Sequence, residues 1–175
     1  MTDDVRIRTA TTDDAGAIAT VHVDSWRAAY TGLLPPAVLE GLSVAQRARH
    51  WARVLGPDTA DRVVVAERDG RVVGFAQVCP AHDADVGPDA GQLLTLYLDP
   101  SDWGRGTGWR VHDAGLSCLV DAGYDRAVLW MLSTNRRAAR FYERQGWVRD
   151  GRIRVQQFGG AVVIDHRWAR SLATG

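Results

Sequence analysis

Two periodicities divide this chain, and the places where one gives way to the other mark its elements. Val5-Arg6-Ile7-Arg8 alternates apolar and polar positions and predicts a first strand. Thr11-Thr12-Asp13-Asp14 predicts a helix start, with acidic side chains where the helix dipole favours them. Ile18, Val21, His22, Ser25, Trp26 and Ala29 follow on that helix, until Gly32 and Pro35-Pro36 break it. A short helix from Ala37 to Leu42 comes next. A third runs from a Ser43 cap to about Leu55, with Val44, Ala48, Trp51 and Leu55 along one stripe. Arg62 to Glu67 and Arg71 to Val78 read as strands joined at an Asp69-Gly70 turn. Pro80 to Ala90 is polar, with Pro and Gly, and predicts a loop.

Beyond that loop the pattern runs strand, turn, helix, and then the same again. The stretch 91–99 is apolar with β-branched and aromatic members, closes at Asp99-Pro100, and predicts a buried strand. Glycines 104, 106 and 108 form the turn. The helix after it places Val111, Gly115, Cys118 and Ala122 on one face, widened by Leu116, Leu119 and Val120. Val128 to Leu132 is a short apolar strand, and Asn135 caps a helix on which Ala138, Phe141 and Tyr142 share a face. Gly146 stops that helix in the left-handed conformation. Trp147 to Gln157 and Ala161 to Trp168 predict a last hairpin across Gly159-Gly160. This order of elements predicts an α/β fold with a mixed sheet, parallel where helices cross over. No repeat, low-complexity tract or linker interrupts it, so a single domain over 1–175 is expected.

Composition narrows the picture. A chain of 175 residues can bury a real core, and 46% hydrophobic with 24% charged residues argues against disorder. Net charge is zero, which removes any global bias toward nucleic acid or membrane surfaces. No apolar run approaches transmembrane length, and MTDDVRIR has no signal-peptide core, so a cytoplasmic protein is expected. Cys79 and Cys118 suggest no disulfide framework and suit a reducing compartment. All 21 basic residues are arginine, which reads as codon bias and excludes acetylation of the chain's own lysines.

The candidate chemistry lies in the first glycine turn. A strand, a glycine-rich turn and a helix start offer unpaired N–H groups and positive partial charge, which suit a phosphate. Arg105 adds a fixed cation. The Walker loop is excluded because no lysine is present, and the dinucleotide fingerprint fails because Trp109 stands where its last glycine should be. A tight strand-to-helix connection is the purely structural alternative. Arg105-Gly106-Thr107-Gly108 after Leu98-Asp99-Pro100 resembles the acyl-CoA pyrophosphate loop of the GCN5-related N-acetyltransferases, with Trp103 where that pattern has Gln or Arg. The string LWMLSTNRRAARFYERQGW resembles the same family's second signature.

The resemblance implies the GNAT fold: a mixed seven-stranded sheet splayed between its fourth and fifth strands, with helices on both faces. It implies acetyl-CoA as co-substrate, no metal, and a cofactor site at Leu96, Tyr97, Leu98, Trp103, Gly104, Arg105, Gly106, Thr107, Gly108 and Asn135. Tyr142 takes the position of the family's general acid, or else is a core tyrosine with a satisfied hydroxyl. Trp26 and Tyr30 are acceptor-binding candidates, or else pack the first helix on the sheet, and Trp51, Trp103, Trp109 and Trp168 could pave the rest of that pocket. Many relatives carry a glutamate near the start of the central strand; Gln92 stands there and cannot accept a proton. Glu67, His82 and His166 qualify as bases by residue type only. The expected function is acetyl transfer to the amine of a small molecule or peptide N-terminus by direct attack. A non-catalytic acyl-CoA sensor is the alternative, and a domain binding another diphosphate a weaker one. Nucleic acid and membrane partners are not expected. The edge of the last strands could pair with a second copy as a homodimer.

Overall fold

The computed structural model describes residues 5–172; the remaining ends of the predicted 1–175 domain lie outside the described residues. The elements are β1 (Arg6–Thr9), α1 (Ala15–Tyr30), α2 (Pro36–Glu40), α3 (Val44–Val54), β2 (Arg62–Arg68), β3 (Arg71–Pro80) and β4 (Ala90–Leu98). Then come α4 (Thr107–Asp121), β5 (Arg126–Leu132), α5 (Arg136–Arg144), β6 (Val148–Phe158) and β7 (Ala161–Ser171). The strands form one seven-stranded sheet in the order β1-β2-β3-β4-β5-β7-β6. β4 and β5 run parallel, as α4 between them requires, and the other neighbouring pairs are antiparallel. The final hairpin sets β7 beside β5 and leaves β6 at the edge.

Strand alternation distributes the apolar residues over two layers. On β2, Val64 and Ala66 join the core under α4 and α5, with Val78, Leu93, Val111, Leu119 and Leu129. Val63 and Val65 point the other way and pack with Ile18, Val21, Trp51 and Phe75 under α1 and α3. The run Val63-Val64-Val65-Ala66 is thus buried on both faces, which is why it is apolar without alternation.

Each layer holds a buried indole whose N–H needs an acceptor. Trp51 donates to Nδ1 of His22 at 3.2 Å, and Trp147 donates to Nε2 of His112 at 2.9 Å. Burial pushes His22 down to about 3 and His112 down to about 4, so both rings are neutral acceptors.

Three expected faces are corrected. The buried stripe of α4 is Val111, His112, Gly115, Leu116 and Leu119, while Val120 is 49% exposed because it lies past the edge of that arc. Ala122 follows the helix end and is exposed. Val44 sits in the first turn of α3 and is exposed, leaving Trp51 as that helix's buried anchor. α2 begins at Pro36, one residue early, because proline is well suited to a first helical turn.

Candidate active site

The site begins where the sheet comes apart. β4 pairs with β5 only over Ala90–Gln92 against Arg126–Val128. Beyond that, β4 stays with β3 as far as Leu98, and β5 stays with β7 as far as Leu132. Leu94 is an extra residue opposite the Gln77/Val78 step, and this bulge bends β4 where the gap opens. The Asp99 N–H donates to the Val73 carbonyl on β3 at 2.8 Å. Alternation therefore turns the backbone groups of Leu98 and Leu96 toward the gap, away from any ladder partner. A cleft of about 900 Å³ fills this opening, lined by residues of α1, β4, the glycine turn, β5, α5 and the last hairpin.

At one end of the cleft lies the glycine turn. Gly104 and Gly106 have φ of 78° and 81°, a region that side chains disfavour, and a Cβ at either would meet nothing within 4 Å. Gly106 is the N-cap of α4 and provides no side-chain cap. By contrast, Ser43 accepts from the Gln46 N–H and Asn135 from the Ala138 N–H at the starts of α3 and α5. The first turn of α4 is thus left for an anion. Arg68 fixes the turn from both sides, donating to Asp102 at 3.0 Å and to the Thr107 hydroxyl at 3.2 Å. Trp103 donates its indole N–H to the Leu98 carbonyl at 3.2 Å, and the Arg137 guanidinium lies 3.4 Å from the centre of its ring. A cation therefore reaches the loop from α5, although Trp103 has replaced the family's polar residue.

Tyr142 stands between the two ends. It is buried, lines the cleft, and its hydroxyl makes no hydrogen bond to the described residues. Burial and the nearby Tyr97 push its pKa well above the ordinary phenol value. The phenol is therefore protonated at neutral pH and is a proton donor, not a base.

At the far end, Trp26 meets Tyr30 edge-on at 4.9 Å and Phe158 at 6.3 Å. The hairpin tip closes this pocket against α2, near enough that a Cβ at Gly159 would come 2.6 Å from Val38.

Residues 22–147 match the profile of the Acetyltransferase (GNAT) family. The chain belongs to this family. It is 29% identical over 131 residues to an uncharacterized N-acetyltransferase of Bacillus subtilis, covering 75% of this chain and 73% of that one. It is 29% identical over 154 residues to a probable N-acetyltransferase of Mycobacterium tuberculosis, covering 85% and 82%. Among solved structures, the PaiA N-acetyltransferase of Thermoplasma acidophilum in complex with coenzyme A shares the fold, with a TM-score of 0.75 and 17% identity over 96% of this chain and 99% of that one.

In this acetyltransferase the sequence-predicted positions divide. Trp26, Tyr30, Leu96, Tyr97, Leu98, Trp103, Gly104, Gly106, Gly108, Asn135 and Tyr142 line one cleft. Arg105 and Thr107 do not: Arg105 is exposed on the turn, and the Thr107 side chain is buried against Arg68. Trp51 and Trp168 are buried in the core and pave no pocket, whereas Trp103 and Trp109 line the cleft beside the glycine turn. Gln92 lies where β4 and β5 are still paired. It is buried outside the cleft, and its side-chain oxygen accepts from the His82 N–H at 3.3 Å. Its role is to hold the 81–89 loop, and a carboxylate there would not face the cleft. Glu67 pairs with Arg8 at 2.9 Å, His82 lies 3.8 Å from the Cys79 sulfur, and His166 sits beside Ile153; none lines the cleft. Cys79 is inside β3, with burial pushing its thiol up to about 12, and neither cysteine lines the cleft.

Arg137 and Asp165 are among the cleft residues that sequence reasoning missed. Arg137 had a signal, since it follows the Asn135 cap by two residues on the first turn of α5. Asp165 had a weaker one: in Val163-Ile164-Asp165-His166-Arg167 the charged residues share the inward phase with Val163. It is buried, lines the cleft, and is the only carboxylate among the described residues that do.

Proposed function

We propose that this acetyltransferase binds acetyl-CoA in the β4–β5 cleft and transfers its acetyl group to the amine of a small molecule. The observation that carries this reading is the union of three features in one cleft: unpaired β4 backbone, an uncapped α4 N-terminus, and a protonated Tyr142 without a partner among the described residues. The pyrophosphate would lie on the first turn of α4, near Arg137, where backbone N–H groups and a guanidinium meet negative charge. The pantetheine amides and the thioester carbonyl would run along Leu96 and Leu98 in place of a strand. The acceptor ammonium first gives a proton to cleft water, and the neutral amine then attacks the carbonyl carbon, forming a C–N bond. Backbone N–H donors of β4 hold the oxyanion. As the C–S bond breaks, Tyr142 gives its proton to the leaving sulfur, and the second proton lost by the amine passes to cleft water. Free thiols at Cys79 and Cys118 suit a reducing cytosol, where we place the protein.

The test is release of free CoA thiol from acetyl-CoA by purified protein with a panel of amines, alongside a thermal shift with acetyl-CoA alone. Amine-dependent release is the expected result. A clear shift without release by any amine would replace the transferase with an acyl-CoA-binding module, and no shift would remove the phosphate-loop assignment.

A further inference from the structure

We propose that the acceptor is an organic cation, a primary amine on an aromatic or apolar body without a carboxylate, and that Asp165 is the group that receives its ammonium. This rests on the transferase reading only in naming the bound cation as the acceptor.

The cleft carries cations at both ends, Arg137 at one and Arg154 at the other, but only one acidic side chain among the described residues. Arg137 lies beside the glycine turn, at the end suited to phosphates, and the single carboxylate, Asp165, comes from β7. In the sheet Asp165 sits opposite Leu132 on β5, and Leu132 packs with Trp26, Tyr30 and Phe158. The carboxylate therefore belongs to the aromatic end. Its influence reaches the cleft phenols, since it contributes to holding Tyr30 and Tyr97 in their protonated forms.

The carboxylate is oriented and only half satisfied. Arg154 donates to Oδ2 at 2.8 Å and 3.3 Å, and Gln156 donates to the same oxygen. Oδ1 receives no hydrogen bond from the described residues. Oδ1 is open to the cleft, and an ammonium entering there would supply the donor that no described residue gives it. Arg154 does not remove this demand. Both of its hydrogen bonds go to Oδ2, and its side chain is 45% exposed, so the pair is partly screened by water and Oδ1 is left for another donor. The Arg154 guanidinium also lies 4.6 Å from the centre of the Trp130 ring, which orients it as a fixed wall of the pocket.

The aromatic groups add a second attraction of the same sign. Arg47 already lies 5.9 Å from the centre of the Trp26 ring, and the faces of Tyr30 and Phe158 favour a further cation and an apolar body together. An acceptor with its own carboxylate would bring a second negative charge beside Asp165. The pocket therefore selects tyramine-like over tyrosine-like amines.

Binding is measured by calorimetry on protein loaded with CoA, where no acetyl group is present and affinity alone is read. Tyramine is expected to bind at least tenfold tighter than tyrosine. Asp165→Asn is expected to lose tenfold or more of the tyramine affinity while keeping its affinity for acetyl-CoA, which also shows that it is folded. Arg154→Gln frees Oδ2 and is expected to hold or strengthen tyramine binding. Equal or tighter binding of tyrosine, unchanged tyramine affinity in Asp165→Asn, or equal losses in both variants would overturn the proposal. Thiol release from acetyl-CoA, run on the same samples, separates the two readings. Cation binding without release sinks the transferase and leaves the Asp165 site, and release only with carboxylate-bearing amines does the reverse.

Discussion

Tyr142 owes its chemistry to two neighbours it does not bond. Trp147 lies 6.0 Å from it and Tyr97 adds to its pKa, so the phenol is packed as a core residue while its hydroxyl has no partner among the described residues. The sequence left open a satisfied core tyrosine or a general acid. Burial is that of the first and the unpartnered hydroxyl fits the second. Tyr142→Phe is expected to lower turnover by about 10²-fold or more, the usual weight of a general acid, with acetyl-CoA affinity unchanged. Steady-state thiol release and calorimetry check the two halves, and undiminished turnover would remove Tyr142 from the reaction. Asn135 shows the opposite economy at the same scale. Its side-chain oxygen is committed to the α5 cap at 3.1 Å, so its contribution to the cleft is to set the direction of that helix.

At the scale of elements, the uncapped start of α4 and the bulge in β4 matter most. The first was readable in part, because glycines 104, 106 and 108 stand directly before a helical pattern. The bulge at Leu94 was not, since nothing in LLTLYL distinguishes a paired residue from an extra one. Gly106→Asp is expected to weaken acetyl-CoA binding by about 10²-fold or more, by placing a carboxylate where the phosphates would sit. Gly106→Asn tolerates the same left-handed backbone without the charge and should lose less. Calorimetry on both variants separates charge from strain; equal losses would point to backbone geometry alone.

For the whole molecule, the two indole-to-imidazole bonds tie helices to distant parts of the chain, α3 to α1 and the residue before β6 to α4. Both rings are neutral when folded. Below the unfolded histidine value of 6.5 the unfolded chain binds protons there, while the folded one resists until about 4 at His112 and about 3 at His22. Stability is therefore full above that window and falls as pH drops through it, by up to about 1.4 kcal/mol per pH unit for each ring. Desolvation is the main cause at both, with Arg47 and His50 adding to it at His22 and Arg170 at His112. Asp14, held below the usual carboxylate range by Arg8, adds its own loss only at lower pH. Urea unfolding at pH 7 and pH 5 should show a lower midpoint at pH 5, with a smaller difference in His112→Gln. A midpoint that does not move between these values would contradict the neutral-ring assignment.

The sequence by itself determined the type and order of the elements, and picked out the glycine turn, Tyr142, Trp26 and Tyr30 as candidates. These are local properties: period, capping chemistry and the conformational range of glycine act within a few residues. Only the tertiary structure decided that β4 and β5 part after Gln92, that Gln92 itself is sealed away from the cleft, and that Asp165 stands at the cleft's aromatic end. Each of these depends on which distant strands pair and in what register, Gln92 with Val128 and Asp165 with Leu132 and Arg154. Register is a property of the assembled sheet, and a shift of one residue would turn Asp165 outward and His166 in.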